Sequence, residues 1–469
     1  MSDVCLSSFP PAFIVVAFLP LHKTGARSLN TSYSVNGKKV FYVSDSSSYV
    51  TVGQNFLRFR EFTREGPEQP SAFRTPVYPL ILAGLILAFA HSFEIAAIVL
   101  QIGFGVITAV GVYLIAREIS SGPYALLVGC AYALFLGPLI YTYLIMSEKL
   151  FSLLIVIFCL FCLKAMRQPM KWRWIMLSAI ALGVATLTRP IAYYLFLLWA
   201  LLVFYSLWPD LRGAASRVAV FVLVFFLVLS PWLIRNQVSL GYPGISTLDG
   251  ENLWFYNYGT LEAFRSGRTL VDVKAELKSV DPAESLGGMI TCSFERSTQL
   301  RNRAIRAILE DPVTYARVHM KGMFVIVASY PVQELRQLLD IPYQNDRVFG
   351  NVEHPSLAEL LERVIAAIPG KLDVVSVFLF QHLPMTTLAI FGTIGLLRRK
   401  HLRSAGLLLM GTAFYLVLVP GVMPFARYLV PATGPLCALA APGLEYLFGA
   451  ACGVCEDTHM FAPHLSGKA

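Results

Sequence analysis

The chain has 469 residues, 56% of them hydrophobic and 14% charged, with a formal charge of +9 and a mean hydropathy of +0.61. That is far more apolar length than a soluble core needs, so a soluble enzyme is excluded in favour of an all-α polytopic membrane protein. The positive balance invites nucleic acid, but the basic residues fall in short clusters between apolar runs, as loop charges that set orientation do, and no nucleic-acid partner is expected.

In chain order, the first apolar stretch, Val4 to Leu21, is short and interrupted by Pro10 and Pro11. A cleaved signal peptide is its rival, but the segment lacks a positive n-region and a small-residue cleavage site. A polar stretch over residues 41–79 follows. Asp45 precedes a serine run and then Tyr49, Val52, Phe56 and Phe59, apolar positions three or four apart that predict a short amphipathic helix on a membrane surface. Asp45 also suits the N-cap of that helix, so capping alone competes with a catalytic role. In Arg74-Thr75-Pro76-Val77-Tyr78-Pro79 two prolines end regular structure and hold an arginine near the same surface. The run Val77 to Ala90 is about 14 residues, short of the ~20 a spanning helix requires.

Stronger spans are expected near Phe93 to Ala116, Tyr124 to Met146, Leu150 to Met166, Trp174 to Leu187, Ala192 to Trp208 and Val218 to Ile234. Three more are expected near Val374 to Leu397, Ala405 to Val422 and Tyr428 to Ala450. The basic loops are Arg117, then Arg167, Lys171 and Arg173, then Arg212 and Arg217, then Arg398, Arg399, Lys400 and Arg403. The positive-inside rule puts all of them in the cytoplasm, which alternates consistently only if Val77 to Ala90 stays at the interface or re-enters on the outer side. The segment from His319 to Pro331 is likewise too short to cross. About ten spans with both termini inside result.

This parity collects the unusual polar residues on the outer face: residues 22–92, Ser147 and Glu148, Arg189, the region from Arg235 to about Asp373, and Arg427. Glu148 interrupts two apolar runs, a costly place for a carboxylate unless it lines a polar cavity. Arg189-Pro190 and the Pro231 to Asn236 segment each break a span at its outer end, and Arg427-Tyr428 opens the last span. Each arginine alone could merely snorkel to headgroups. Four together with Arg74, on the face where few are expected, fit a phosphate-bearing lipid held by guanidinium forks.

Residues 236–317 are polar, with mixed charge and turn signals, long enough to cap a cavity but too irregular for a large independent domain. The eight cysteines imply no disulfide framework, and Cys159/Cys162 and Cys452/Cys455 lack partners at zinc spacing. No P-loop, dinucleotide fingerprint or zinc-protease motif occurs.

The succession Asp45-Ser46-x-x-Tyr49, Arg74-Thr75-Pro76-x-Tyr78-Pro79, Tyr143-x-x-x-Ser147-Glu148, Leu187-Thr188-Arg189-Pro190, Pro231-Trp232-x-x-Arg235-Asn236 and Arg427-Tyr428-x-x-Pro431 resembles the bacterial GT-C glycosyltransferases. More narrowly it resembles the dolichyl-phosphate-mannose protein mannosyltransferase and lipid A aminoarabinose transferase family. The resemblance implies a GT-C fold over residues 1–450, with juxtamembrane helices in a catalytic first outer loop (22–92), a large outer region (236–373) and a cytoplasmic tail (451–469). It implies a polyprenyl-phosphate-linked sugar as donor, an outward-facing site in the bacterial inner membrane and inversion at the anomeric carbon. By matching position, Asp45 would be the base or acceptor-positioning carboxylate and Glu148 the second acid. Tyr49, Arg74, Tyr78, Arg189, Arg235, Asn236, Arg427 and Tyr428 are the expected substrate-binding residues. Where many members carry an Asp-Glu pair this chain has Asp45-Ser46, so a divalent metal, already variable among such enzymes, is in doubt and no metal ligand is assigned.

The same inventory meets the chemistry unaided. An acceptor hydroxyl needs a carboxylate within reach, and a leaving lipid phosphate needs fixed positive charge. The opposing class, a transporter or flippase of lipid-linked glycans, calls for ionisable residues at the bilayer midplane, whereas here they gather at one face. A polysaccharide ligase would share the donor but carry its key arginines in the large outer loop. The acceptor, whether glycan, lipid or protein, is not readable.

Overall fold

The computed structural model describes residues 34–35, 38–39, 41–43, 45–67, 69–168, 171–279, 293–328, 331, 334–335, 338, 376–423 and 425–451. The expected first span, most of residues 22–40, Cys292, residues 339–375 and the tail after residue 451 lie outside these. Apart from a two-residue antiparallel ladder, β1 (Ser34–Val35) with β2 (Lys38–Lys39), the described chain is helical.

The polar first loop folds as its periodicity predicts. α1 (Ser46–Phe59) buries Tyr49, Val50, Val52 and Gly53 against α2 (Val77–Phe89). Gly53 is required there, because a Cβ would stand 3.0 Å from the Pro79 carbonyl oxygen. α2 starts where Pro76 and Pro79 are tolerated, in the first turn of a helix. It turns a corner at Ala90, whose φ of 44° leaves the helical region, and α3 (Phe93–Ile119) follows.

The expected span from Tyr124 to Met146 is broken. α4 (Gly122–Leu134) ends at Phe135, whose ψ of 122° is extended, and α5 (Leu136–Ile140) is a short turn of helix before an irregular segment. Two causes combine. Pro138 lacks an amide hydrogen and disfavours helix before it. Gln381, from the far part of the chain, then satisfies the break: its Oε1 accepts from the Leu136 amide at 3.1 Å, and its Nε2 donates to the Leu134 carbonyl at 3.5 Å. The irregular segment is buried, held by Ile145 N to Phe41 O (2.9 Å) and by Gln101 Nε2 to Leu144 O (3.0 Å), and it delivers Ser147 to α6 (Glu148–Arg167).

α7 (Trp172–Thr188) and α8 (Leu195–Ser206) follow, separated by Arg189 and a 3-10 turn at Pro190–Ala192. α9 (Leu211–Leu240) corrects a second expectation, for it runs straight through Pro231 to Gly241, which caps it at φ 70°. The carbonyl that Pro231 cannot serve, that of Leu227, accepts from Ser230 Oγ at 2.8 Å instead.

A helical cap comes next: α10 (Leu248–Glu251), a π-helical turn at Asn252–Tyr258, α11 (Gly259–Ser266), α12 (Leu270–Ser279), α13 (Phe294–Leu309) and α14 (Pro312–Ala328). His319 of α14 donates from Nε2 to the Leu418 carbonyl at 2.7 Å. α15 (Leu383–Arg398), α16 (Arg403–Leu418) and α17 (Val430–Ala451) complete the bundle. α17 is buried on every side from Val430 to Gly443 and packs on α3, α4, α6, α15 and α16, which makes it the central helix. At Gly392 and Gly443 the α15 and α17 backbones meet so closely that a Cβ would fall about 2 Å from a carbonyl oxygen.

Among the described residues, five runs suffice by length and apolarity to cross a membrane: Val77–Ile119, Glu148–Arg167, Leu211–Leu240, Phe378–Arg398 and Lys400–Leu418. Gly122–Leu134, Trp172–Thr188 and Pro190–Ser206 are shorter apolar helices.

The basic loops share one end of this bundle. Arg167 pairs with Glu118 at 2.5 Å, Arg399 and the Ser121 amide both meet Glu445, Arg398 donates to Tyr446, and Ser206 bonds Ser404. Asp45, Glu148, Arg189 and Arg427 are joined at the other end, as the parity of charged loops requires.

Candidate active site

Asp45 occupies the N-cap position of α1, but its side chain makes no capping bond; Ser46 Oγ, accepting from the Val43 amide at 2.9 Å, does the local work. Each carboxylate oxygen of Asp45 instead takes one guanidinium. Arg74 Nη2 donates to Oδ1 at 2.8 Å and Arg427 Nη1 to Oδ2 at 2.7 Å. Burial pushes this carboxyl's pKa up, but Arg74 and Arg427, helped by Arg189, outweigh it and hold the group down to about 2.

The surrounding residues fix the two arginines. Arg74 donates from Nε to Ser48 Oγ at 3.1 Å and lies 4.5 Å over the Tyr49 ring. Tyr49 packs edge-on to Tyr78 and shares a 3.0 Å bond with Ser147 Oγ. Arg427 leaves the 3-10 turn Ala426–Tyr428 between the Phe425 and Tyr428 rings, 5.2 Å from each. Arg189 reaches Ser147 Oγ at 3.4 Å and stands 2.5 Å from Glu148 Oε1. That second contact is close but poorly aligned: both Glu148 oxygens lack a properly directed hydrogen bond although only 1% of the side chain is exposed. The Tyr78 hydroxyl and Arg427 Nε are also buried without partners. Orphaned buried polar atoms are rare in folded proteins, and those of Tyr78, Glu148 and Arg427 are groups that a polar ligand could satisfy.

Of the residues expected at the site, Asp45, Tyr49, Arg74, Tyr78, Glu148, Arg189, Arg427 and Tyr428 come together here. Arg235 and Asn236 are engaged elsewhere. Arg235 donates to the Ser71 and Phe62 carbonyls at 3.1 Å each and to Asn236 Oδ1 at 2.9 Å, while Asn236 donates to the Gly244 carbonyl at 2.7 Å. They clasp the first loop to the end of α9. Residue patterns missed three participants, Ser147, Tyr141 and Glu334. Ser147 bridges Tyr49 and Arg189, and its only signal was its place before Glu148. Tyr141 is buried and donates to Glu334 Oε1 at 3.0 Å, a contact between segments with no sequence signal.

A divalent ion does not fit the donor set as it stands. Among the described residues no three His, Cys, Asp or Glu side chains converge on one point, and an ion at Asp45 or Glu148 would have to displace a guanidinium.

The described chain is an all-helical bundle with a carboxylate–arginine cluster at one end, and its likeness to a solved oligosaccharyltransferase shows a GT-C-like fold. Within it, residues 73–234 match the family model of dolichyl-phosphate-mannose-protein mannosyltransferase, so the motif resemblance holds over that stretch. Comparison with curated proteins gives no match. Among solved structures, the apo oligosaccharyltransferase of Archaeoglobus fulgidus is similar with a TM-score of 0.51 at 14% identity, over 96% of this chain and 52% of that one. The same organism's AglB in complex with an inhibitory peptide and a dolichol-phosphate gives 0.50 at 13%, over 96% and 52%. ArnT from Cupriavidus metallidurans bound to undecaprenyl phosphate gives 0.39 at 16%, over 96% and 79%. The chain thus spans about half the length of the archaeal enzymes, and at these identities the likeness is one of fold.

Proposed function

We propose that this protein is a membrane glycosyltransferase that moves a sugar from a polyprenyl-phosphate-linked donor to an acceptor hydroxyl, on the outer face of a bacterial inner membrane and with inversion. The observation that carries the reading is Asp45 set between Arg74 and Arg427, with Glu148 and Arg189 beside it, at the end of the bundle opposite the basic loops. The acceptor oxygen attacks the anomeric carbon, its proton passes to Asp45, and the bond to the phosphate oxygen breaks with its electron pair going to the lipid phosphate. The arginines stabilise the charge that grows there. Tyr49 and Tyr428 stack on the arginines, Tyr78 packs on Tyr49, and Glu148 orients the sugar or acceptor. The family matched over residues 73–234 takes its name from a dolichyl-phosphate sugar, and the archaeal AglB binds a dolichol-phosphate; both support a lipid phosphate here. A transporter finds no support, because the charged cluster sits at one end.

The test is transfer of labelled sugar from a polyprenyl-phosphate donor by the purified protein, alongside mass spectrometry of lipids and envelope glycans from a deletion strain. Loss of one glycosylated species with accumulation of its donor is expected; an unchanged glycome and no transfer would sink the reading. The side is tested by a reporter fused after residue 92, expected outside.

A further inference from the structure

We infer that the Asp45 clamp is operated by the donor: the lipid phosphate takes Arg74 and Arg427 away from Asp45, and only then is the carboxylate free to receive the acceptor's proton. This rests on the glycosyltransferase reading and adds an order of events to it. Both Asp45 oxygens already accept from guanidiniums, at 2.8 and 2.7 Å, so a phosphate that draws on these same nitrogens of Arg74 and Arg427 competes with the base. A carboxylate held near the bottom of its range by two cations is a poor proton acceptor. Arg427 has an unpartnered Nε, and Arg74 is fixed through Nε to Ser48 and by the Tyr49 face, so each can hand its terminal nitrogens to a new anion without losing its anchor.

The cycle closes by charge. A bound donor phosphodiester carries one negative charge and competes with Asp45 on equal terms, aided by the rest of the lipid and sugar. After transfer Asp45 is neutral and the product phosphate monoester carries up to two charges, so the arginines stay with the phosphate. When Asp45 loses its proton to water, the carboxylate again competes for the two guanidiniums and weakens their hold on the product. Asp45 is thereby both the base and a group that loosens the spent lipid, and the acceptor reacts only after the donor is seated.

The probe is farnesyl monophosphate, titrated calorimetrically into the purified full-length protein in detergent. Asp45→Asn removes the competing charge, so binding should tighten by about tenfold or more, the worth of one charge-assisted hydrogen bond. Arg74→Ala and Arg427→Ala should weaken it by about as much. Unchanged or weaker binding to Asp45→Asn, with both arginine variants weakened, would overturn the clamp and leave the glycosyltransferase reading standing. Wild-type binding by both arginine variants would overturn the two together. In the wild type, infrared difference spectra on adding farnesyl phosphate should show an arginine-bound carboxylate band replaced by a free one, which needs no variant to fold; a spectrum without a carboxylate change also overturns the clamp.

Discussion

The two ends of the bundle are built from the same ion pairs in different surroundings. At the basic end Arg167 meets Glu118 with side chains 48% and 23% exposed, and Arg399 meets Glu445 at 46% and 28%. At the site end Arg189 meets Glu148 at 16% and 1%. Exposed pairs contribute about 0–1 kcal/mol, whereas burying a pair costs desolvation that the mutual attraction barely offsets. The basic end can therefore be read as topology. The site end keeps charges that stability does not require and leaves several polar atoms unsatisfied, which is the signature of function rather than of folding.

The largest effect expected is on chemistry. Asp45→Asn keeps the size of the side chain and should lower transfer by about two to four orders of magnitude, the usual worth of a positioned base. Because Asp45 makes no capping bond, any loss in thermal unfolding of this variant at neutral pH comes from its ion pairs with Arg74 and Arg427 and not from a removed cap. The linkage has a definite sign. The folded carboxyl is held down to about 2, so its contribution to stability is complete above the unfolded value of ~3.9 and is lost as pH falls from about 4 toward 2. Acid unfolding of the wild type, but not of Asp45→Asn, should carry that component. An active Asp45→Asn enzyme would remove the contrast between the two ends.

Next in size is the buried pair. Glu148→Gln strands Arg189, and Arg189→Gln strands Glu148; breaking a buried pair from one side costs about 3–5 kcal/mol. The double variant Glu148→Gln/Arg189→Gln should recover much of that in thermal unfolding while remaining inactive. Single variants as stable as the wild type would show that water reaches the pair and that the site end is no drier than the basic end.

A third prediction separates arginines that look alike in sequence. Arg427→Lys loses the guanidinium that bonds Asp45 and Tyr428 together and should cost about 1–3 kcal/mol of charge-assisted bonding, roughly ten- to hundredfold in donor use. Arg235→Lys should instead lower stability by about 1 kcal/mol, because its bonds go to the Ser71 and Phe62 carbonyls, with donor use little changed. A donor defect in Arg235→Lys equal to that of Arg427→Lys would return Arg235 to the phosphate site.

That contrast also shows where sequence reasoning succeeds and stops. Spacing of Tyr49 and Val52 gives α1, charge alternation sorts the loops to two ends, and the motif order places Asp45, Arg74, Glu148, Arg189 and Arg427 in one cluster. All of these are local or statistical signals. What escaped depends on pairings across the chain: Asp45 meets Arg427 over a separation of 382 residues, and the break at Phe135 is completed by Gln381 across 245. Arg235 carries the same label as Arg427 in sequence, and only the carbonyls that α9 brings to it decide that it clasps a loop. The helix that continues through Pro231 depends on Ser230, one position away, taking over a carbonyl.

The smallest effect is expected at the basic end, and it is the control for all the others. Glu118→Gln removes the partner of Arg167 and Lys164, and Glu445→Gln the partner of Arg399 and of the Ser121 amide. Each partner arginine is nearly half exposed, so water and salt already screen it, and the loss should be about 0–1 kcal/mol and smaller still at high ionic strength. Transfer should stay at the wild-type rate, since these groups lie at the opposite end of the helices from Asp45. Melting curves at low and high salt, with a transfer assay on the same samples, check both points. A fall in transfer without a fall in stability would mean that the basic end communicates with the site through α17, which packs on α3 and α6 and carries Glu445 at one end and adjoins Arg427 at the other.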